Sequence, residues 1–249
     1  MSSLTKHRLL VSLYEELLAR YGCQGWWPVM DCPGTLAEKD GLHLGYHPGD
    51  YSYPHTQRQA FEICCGAILT QNTAWANARA ALANLAALGT IEPEQLLRLP
   101  GDALARAIRP AGYFNVKARK LVVFARFFQG LNGRIPGREE LRAVWGIGPE
   151  TADSIRLYAY RQVEMVVDAY TRRILEHARL LPATTSYEAA SQFCRESLPA
   201  ELAVYQEFHA LMVAHGKRFY SRRQVADPLA EGMRPGKPHG RLVPGSLSD

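Results

Sequence analysis

Residues 141–175 read LRAVWGIGPETADSIRLYAYRQVEMVVDAYTRRIL, and this stretch decides the fold. It predicts a helix, a tight hairpin, a second helix, a short apolar connector and a third helix. Gly146 and Gly148 bracket Ile147, so no side chain blocks the turn at either glycine. Pro149 suits the first position of the second helix, where its missing N–H costs nothing. The turn therefore aims backbone N–H groups at a helix N-terminus, an anion site whose usual occupant is phosphate.

Two acidic residues flank the second helix of this stretch. Glu150 lies in its first turn, where the helix dipole favours negative charge. Asp168 lies twenty residues after Gly148, directly after an apolar run that ends at Val167, and begins the third helix. Taken alone, each feature also has a structural interpretation. An Asp before a helix is usually an N-cap, and a Gly-x-Gly turn is often an ordinary helical hairpin.

The hairpin and the Val-Asp pair together resemble the helix-hairpin-helix superfamily of DNA glycosylases, the endonuclease III-like proteins. That family carries a V/L-x-G-x-G-x-x-T-A hairpin and, at the same spacing, a Val-Asp pair that holds the catalytic aspartate. The matching residues are Val144, Gly146, Gly148, Thr151, Ala152, Val167 and Asp168. The resemblance implies that Asp168 is the catalytic residue. The DNA backbone contacts that it implies in the hairpin are Gly146, Ile147, Gly148 and Thr151.

Two other segments resemble the parts of these glycosylases that enter the DNA duplex. Residues 68–73 read ILTQNT, where the family has L-[ST]-x-Q-x-[TS], and residues 109–119 read RPAGYFNVKAR, where it has G-[LYF]-[YF]-N-x-K-A. The resemblance implies that Gln71 fills the space left by a flipped nucleotide and that Tyr113 wedges between the opposite bases. Alternatively, Gln71 belongs to a polar turn and Tyr113 packs on the following helix. On that helix Lys117, with Arg119, Lys120 and Arg126, is expected to reach DNA phosphates.

Two departures separate the chain from endonuclease III proper. The lysine that attacks the sugar and forms a Schiff base there is replaced by Glu150, and a carboxylate cannot form an imine. Endonuclease III also has a four-cysteine iron–sulfur segment after a His-Gly dipeptide. His215 and Gly216 are present, but Tyr220 takes the place of the first cysteine and no cysteine follows. We therefore expect no AP lyase activity, no iron–sulfur cluster and no other cofactor.

Both departures are typical of the cluster-less 3-methyladenine DNA glycosylases, which the chain resembles over about residues 26–219. The shared motifs are Trp26-Trp27-Pro28, Leu-Thr-Gln-Asn-Thr followed by Trp75, an Arg-Pro-x-Gly segment at residues 109–121, and residues 146–170. The base pocket implied by the resemblance contains Trp26, Trp27 and Trp75, and we add Glu150 and Lys217. We suggest that Lys217 pairs with Glu150. Alternatively Lys217 is a solvated lysine near a helix end, and one tryptophan, Trp27 rather than Trp26, is core.

Composition adds weaker constraints. A chain of 249 residues can bury a core in one domain or two lobes. Its net charge of +5 and pI near 9.0 fit a polyanionic partner. We find neither an N-terminal apolar segment typical of signal peptides nor an apolar run long enough to span a membrane. The five scattered cysteines predict reduced intracellular thiols. We expect a monomer in the cytoplasm, associated with the nucleoid if prokaryotic.

Helical periodicity predicts helices at about residues 4–21, 57–69, 74–88, 115–129, 169–180, 187–197 and 200–219. Residues 22–54 have no sustained periodicity and predict a long ordered loop, and we see no convincing strands. The cysteines and histidines of this loop match no standard zinc spacing, so we predict no metal site. Residues 225–249, rich in Pro, Gly, Ser and Arg, predict a flexible tail.

The predicted fold is all-α, with two helical lobes and a central cleft. Residues 57–155 form the central lobe with the hairpin, residues 1–56 and 156–224 form the second lobe, and residues 225–249 form the tail. The resemblance implies a monofunctional DNA glycosylase that hydrolyses the N-glycosidic bond of flipped alkylated purines, like 3-methyladenine, in damaged double-stranded DNA. Two alternatives stay open. One is an endonuclease III-like glycosylase and AP lyase on oxidised pyrimidines, and the other is a non-catalytic helix-hairpin-helix DNA-binding protein.

Overall fold

The computed structural model describes residues 1–38, 41–89, 91–221 and 226–233. The described chain is mostly helical, as predicted, and divides into two compact units. The central unit is Gln24–Val166, and the terminal unit combines Met1–Cys23 with Val167–Asp249. Within the described ranges, no helix has both the length and the apolar character needed to cross a membrane.

The predicted helices are present in the predicted order, while the last helix and two strands lie in segments where neither was predicted. The helices are α1 (Ser3–Tyr21), α2 (Gln57–Leu69), α3 (Trp75–Ala87), α4 (Pro93–Arg98), α5 (Gly101–Ala107), α6 (Phe114–Gly130), α7 (Arg138–Arg142), α8 (Pro149–Ser154), α9 (Ala169–His177), α10 (Tyr187–Ser197), α11 (Leu202–Phe219) and α12 (Pro228–Gly232). A 3₁₀ turn covers Arg109–Ala111, and α8 continues into a π-helical turn at Ile155–Ala159. Two strands, β1 (Thr35–Glu38) and β2 (Gly41–Leu44), complete the set.

Helix α2 is the centre of the central unit. Every residue from Gln59 to Leu69 is buried, which is expected of a helix that is apolar on nearly all sides. The helix starts in a capping box, because the Thr56 side chain accepts from the Gln59 N–H and the Gln59 side chain reaches back to Thr56. Helices α3, α6 and α8 and the π-helical turn pack around α2.

The segment predicted as a loop at residues 22–54 contains a β-hairpin that was not predicted. Strands β1 and β2 pair antiparallel, with Thr35 opposite Leu44. The segment is also tied to α2, because the Met30 N–H donates to Glu62 Oε1 at 2.8 Å and Trp27 packs against Gly66. For this reason residues 24–56 belong to the central unit and not, as predicted, to the second lobe.

The other predicted boundary also differs from the observed one. Residues 156–166 belong to the central unit, whereas the predicted central lobe ends at residue 155. Packing explains the difference. The Tyr158 ring lies 5.4 Å from the Trp27 ring, and Arg156 pairs with Glu164 at 3.0 Å within the segment.

The terminal unit is built on α11. Helices α1 and α9 pack on α11, α10 packs on α1, and α12 packs on α9. Residues 226–233 correct the prediction of a flexible tail. Asp227 caps α12, and Leu229 and Ala230 are buried. Those buried apolar side chains fix a segment whose Pro-rich composition suggested mobility; residues 225 and 234–249 of the predicted tail lie outside the described residues.

Candidate active site and DNA-contacting surface

The hairpin turns at Gly146 and needs glycine there. Its φ is +88°, and a Cβ at this position would lie 2.7 Å from the Cγ and Cε atoms of Lys120. Gly148 is extended and has open space at its Cβ position, so only one of the two glycines is required by the turn. Ile147 is one of the predicted contacts with the DNA backbone. Its N–H already donates to the Val144 carbonyl within the turn, at 3.0 Å. Pro149 begins α8 as predicted.

Gln71 is bonded to the hairpin. Its Nε2 donates to the Gly146 carbonyl at 3.1 Å and to Thr151 Oγ1 at 3.0 Å. Lys120 Nζ donates to Gln71 Oε1, and since an ammonium only donates, this bond fixes the orientation of the amide. The structure thus brings together three residues that the sequence assigned to DNA contact: Gln71, Gly146 and Thr151. Burial lowers the pKa of Lys120, the residue that joins them.

Lys117 does not lie at the surface, and its predicted role in DNA backbone contact is wrong. Its side chain is 2% exposed, and Nζ donates to the carbonyls of Leu69 and Ala111, both at 2.8 Å. Burial, with Lys120 nearby, lowers the pKa of Lys117 to about 8. The residue instead joins α6 to the end of α2, and two carbonyl partners offset its removal from water.

Tyr113 is presented to solvent at the head of α6. It is the N-cap residue, its φ is +45°, and 74% of it is exposed. A non-glycine residue with positive φ is uncommon and held by its surroundings. The alternative, in which Tyr113 packs on the following helix, is contradicted by this exposure. The position suits the predicted wedge, which needs a large ring free of the protein.

The three predicted pocket tryptophans form one aromatic cluster. The ring centroids of Trp26 and Trp27 are 5.7 Å apart, those of Trp27 and Trp75 are 5.3 Å apart, and those of Trp26 and Trp75 are 6.1 Å apart. Two tyrosines extend the cluster. Tyr158 lies edge-on to Trp27, and the Tyr46 hydroxyl accepts from Trp75 Nε1 at 3.1 Å. Edge-to-face contacts of this kind stabilise aromatic clusters.

Burial differs among the three indoles. Trp26 and Trp27 are 7% and 5% exposed, so core packing extends to both, while Trp75 is only partly buried. Trp27 Nε1 is buried and has no hydrogen-bond partner, and it lies 2.9 Å from the position that a Cβ on Gly66 would occupy. Trp75 is therefore the indole of the cluster with the most surface left for a ligand.

Histidines of the 22–54 segment have partners within the protein. His47 Nδ1 lies 2.7 Å from the Asp50 carbonyl, and His47 Nε2 lies 2.9 Å from the Trp27 carbonyl. His43 Nδ1 contacts Arg79. The described residues hold no group of three or more His, Cys, Asp or Glu side chains placed to bind a metal ion.

Asp168 is the N-cap of α9. Its Oδ1 accepts from the Thr171 N–H at 2.7 Å and from the Thr171 hydroxyl at 2.8 Å. His209 of α11 is buried and within electrostatic reach of this carboxylate. Burial lowers the pKa of His209, and the negative charge of Asp168 partly opposes that shift. Capping uses one carboxylate oxygen and is compatible with a catalytic role for the other.

Lys217 lies in the last turn of α11, where the helix dipole favours a cation. Glu150 lies in the first turn of α8, as predicted. Their pairing stays a prediction, and so does the assignment of both residues to the base pocket.

The segment that carries the cluster in endonuclease III holds a different set of contacts here. Tyr220 is buried, and its hydroxyl donates to Asp227 Oδ2 at 2.7 Å. His215 Nε2 lies 3.0 Å from the same oxygen, and His215 Nδ1 lies 3.0 Å from the Tyr21 hydroxyl. These side chains offer no thiolate, so they do not fit an iron–sulfur cluster. The absence of a cluster stays a prediction for analysis of the purified protein.

Comparison with known proteins gives the family. Residues 65–200 match the family profile of the "HhH-GPD superfamily base excision DNA repair protein". The chain belongs to this superfamily. A candidate DNA repair glycosylase of Methanocaldococcus jannaschii is 32% identical over 239 residues, 91% of this chain and 96% of that protein. Endonuclease III of Sulfolobus acidocaldarius is 29% identical over 177 residues, 68% of this chain and 78% of that protein.

Solved structures show the same fold. The H. pylori 3-methyladenine DNA glycosylase MagIII, bound to 1,N6-ethenoadenine, has a TM-score of 0.62 at 24% identity and covers 88% of this chain and 98% of its own. A trapped covalent intermediate of endonuclease III with DNA has a TM-score of 0.70 at 17% identity, over 90% and 93% of the two chains. These structures show the fold, and the family profile with the Methanocaldococcus jannaschii relative makes the chain a DNA glycosylase of the HhH-GPD family in base excision repair.

Three features of this HhH-GPD glycosylase were missed in the sequence. Lys120 was predicted only to reach DNA phosphates, and nothing in the sequence indicated its hydrogen bond to Gln71. Tyr158 lies on the apolar face of the second helix of the hairpin. The sequence pattern therefore indicates a core residue and not a neighbour of the tryptophan cluster. His209 lies inside an apolar helix without a motif. Each role depends on contacts between residues far apart in the chain.

Proposed function

We propose that this HhH-GPD glycosylase is monofunctional and hydrolyses the N-glycosidic bond of alkylated purines in duplex DNA. The observation that carries the proposal is the cluster of Trp26, Trp27 and Trp75, of which Trp75 keeps accessible surface. Purines alkylated at N3 or N7 are cationic. A cation over an aromatic face gains roughly 0.5–2 kcal/mol, depending on desolvation. An electron-rich slot can therefore prefer the alkylated base over its neutral parent.

Base excision requires the base to leave the stack. Tyr113 is exposed at the head of α6, and this supports its insertion between bases. Gln71 is bonded to the hairpin, so the residue that would fill the vacated space is held beside the residues that would grip the backbone. The backbone contacts would set the position of the protein without reading the sequence.

Hydrolysis breaks the bond between the sugar C1′ and the base nitrogen and forms a bond from C1′ to a water oxygen. A cationic base leaves as a neutral molecule, so little help from a general acid is needed. Asp168 would take the proton of the attacking water or stabilise the positive charge that develops on the sugar. Residue 150 is a glutamate, and a carboxylate cannot form the Schiff base through which a lysine at this position would cleave the strand. This supports release of the base without strand cleavage.

Substitution at Trp75 tests the charged-base pocket. Duplex DNA methylated in vitro is incubated with wild type, Trp75→Ala and Trp75→Phe, and free 3-methyladenine and 7-methylguanine are quantified. We expect Trp75→Ala to reduce release of methylated purines by about tenfold or more and Trp75→Phe to retain most of it, because a phenyl ring keeps part of the cation–π attraction. Excision by Trp75→Ala at the wild-type rate would contradict the pocket.

A second candidate is an endonuclease III-like activity, favoured by the endonuclease III of Sulfolobus acidocaldarius among the relatives. It predicts direct strand cleavage on duplexes with oxidised pyrimidines. The same incubation on a thymine glycol duplex, analysed without alkali, distinguishes the two activities.

A further inference from the structure

The hairpin carries an exposed tryptophan that the proposed function does not use. Trp145 lies between Val144 and Gly146, and 46% of it is exposed, whereas Val144 is 8% exposed. The guanidinium carbon of Arg119, on α6, lies 4.5 Å from the centroid of the Trp145 ring. A large aromatic ring at a tight surface turn, with a cation stacked on it, is an arrangement that binding surfaces use.

We propose that Trp145 and Arg119 form a phosphate clamp on duplex DNA next to the hairpin, separate from the hairpin amides. The proposal rests on the proposed function, because its partner is the DNA that the glycosylase acts on. Trp145 holds the flat guanidinium of Arg119 in one orientation. The remaining N–H donors then face a phosphate oxygen pair in the bidentate geometry that arginine provides and lysine does not.

Charge distribution supports an anionic partner. Several exposed arginines of the central unit pair with carboxylates, as in Arg98–Glu94, Arg106–Asp102 and Arg142–Glu139, whereas Arg109, Arg126 and Arg161 resemble Arg119 in being exposed without such a pair among the described residues. Within the part of the chain that the structure describes, Arg119 has no carboxylate at ion-pair distance. Helix α6 itself contains no Asp or Glu. The guanidinium on Trp145 is therefore available to an anion from outside the protein.

The clamp continues a strip that begins at the predicted wedge. Tyr113, Val116 and Arg119 follow one another at three-residue spacing on the exposed side of α6, and Tyr113 and Val116 are 74% and 49% exposed. Six helical residues rise about 9 Å, which equals the rise of between two and three base pairs along the duplex axis. With α6 lying along the duplex, Arg119 would reach a phosphate near the bases that Tyr113 parts.

Salt-dependent binding tests the clamp. Affinity for a fluorescent duplex with a tetrahydrofuran abasic analogue is measured from low to moderate salt for wild type, Arg119→Ala, Trp145→Ala and the double variant. We expect each single change to weaken binding by about 5- to 10-fold. The double variant should bind the duplex with an affinity within about twofold of that of the poorer-binding single variant. The two losses should not add, because both residues act through one contact. Arg119→Ala should reduce the slope of log K against log salt by about 0.9, the value for one phosphate.

Matched variants separate the clamp from charge and folding effects. Arg98→Ala removes the same charge from an exposed site in the same unit, and we expect it to change affinity by less than about twofold. Arg119→Lys should keep the salt slope and lose part of the affinity. Trp145→Phe keeps a ring under the guanidinium and guards against misfolding of Trp145→Ala.

An unchanged salt slope in Arg119→Ala, or strictly additive losses in the double variant, would overturn the clamp. The readout is binding to DNA without a base to excise. If wild type fails to release methylated purines while the clamp variants behave as expected, the proposed substrate is wrong and the clamp stands. If wild type does not bind the duplex, both proposals fail.

Discussion

Asp168 and Thr171 are joined by two hydrogen bonds, because Asp168 Oδ1 accepts from both the backbone N–H and the hydroxyl of Thr171, at 2.7 and 2.8 Å. One carboxylate oxygen is committed to the start of α9, which fixes the direction of the other. The N-cap and the proposed catalytic group are therefore the same side chain, and the two roles can be separated by substitutions that keep one and remove the other.

Asp168→Asn tests this separation. The asparagine carbonyl still accepts from Thr171, so the free energy of unfolding should change by only a few tenths of a kcal/mol, whereas Asp168→Ala should lose about 1 kcal/mol. Excision of methylated purines by Asp168→Asn should fall at least about 100-fold, as expected when a charge aimed at the transition state is removed. Binding to an abasic duplex should stay near the wild-type value, and a parallel loss of affinity would show that Asp168 is mainly a cap.

Gly66→Ala tests the packing beneath the tryptophan cluster. A Cβ at Gly66 would lie 2.9 Å from Trp27 Nε1, so the indole must move. We expect a loss of about 1–3 kcal/mol in stability and a change in tryptophan fluorescence. Gly130→Ala is the matched control, because Gly130 ends α6 with open space at its Cβ position. Equal melting temperatures for the two variants would contradict the contact.

Glu62 predicts a pH dependence of stability. Its carboxyl group is 2% exposed, and burial raises its pKa from 4.5 to about 7. The folded state therefore holds the proton more tightly than the unfolded state. Protonated Glu62 therefore contributes to the stability of the folded state. This contribution is complete below pH 4.5 and is lost as the pH rises through 7. It amounts to on the order of 3 kcal/mol.

The comparison is between wild type and Glu62→Gln in urea unfolding at pH 5 and pH 8. Wild type should lose stability relative to Glu62→Gln between the two pH values, because glutamine has no proton to release. Glu94→Gln, at an exposed position, should follow wild type. An identical pH dependence for wild type and Glu62→Gln would mean that Glu62 is not buried in solution.

Glu150→Lys addresses strand cleavage. A lysine at this position restores the residue type of endonuclease III, but a catalytic amine also needs a lowered pKa and the correct direction. We expect little trapping of Glu150→Lys by borohydride on abasic DNA, at most a few per cent of the DNA. Efficient trapping would show that the surroundings of residue 150 are already arranged for a Schiff base.

Strongly periodic segments could be predicted from sequence. The bounds of α2 and α10 match the prediction, because an apolar or amphipathic pattern between clear caps defines a helix locally. The turn at Gly146 and the start of α8 at Pro149 also follow from local backbone chemistry. These features need no knowledge of the rest of the chain.

Features that depend on distant contacts could not be predicted. The residues around Lys117 are typical of a lysine at the protein surface. Its burial is explained only by the carbonyls of Leu69 and Ala111, which accept hydrogen bonds from its ammonium group. The docking of residues 226–233 depends on the Asp227 cap and its contacts with His215 and Tyr220. The β1–β2 hairpin consists of two short strands without clear alternation, so period-two patterning did not reveal it.

The proposed enzyme releases bases from alkylated DNA without cleaving the strand. The most direct measurement incubates the purified protein with methylated duplex DNA and with a matched thymine glycol duplex, quantifies the freed bases, and counts strand breaks before and after alkali. We expect free 3-methyladenine, little or no release of thymine glycol, and strand breaks only after alkali. Faster release of the oxidised pyrimidine, or breaks before alkali, would contradict the proposed activity.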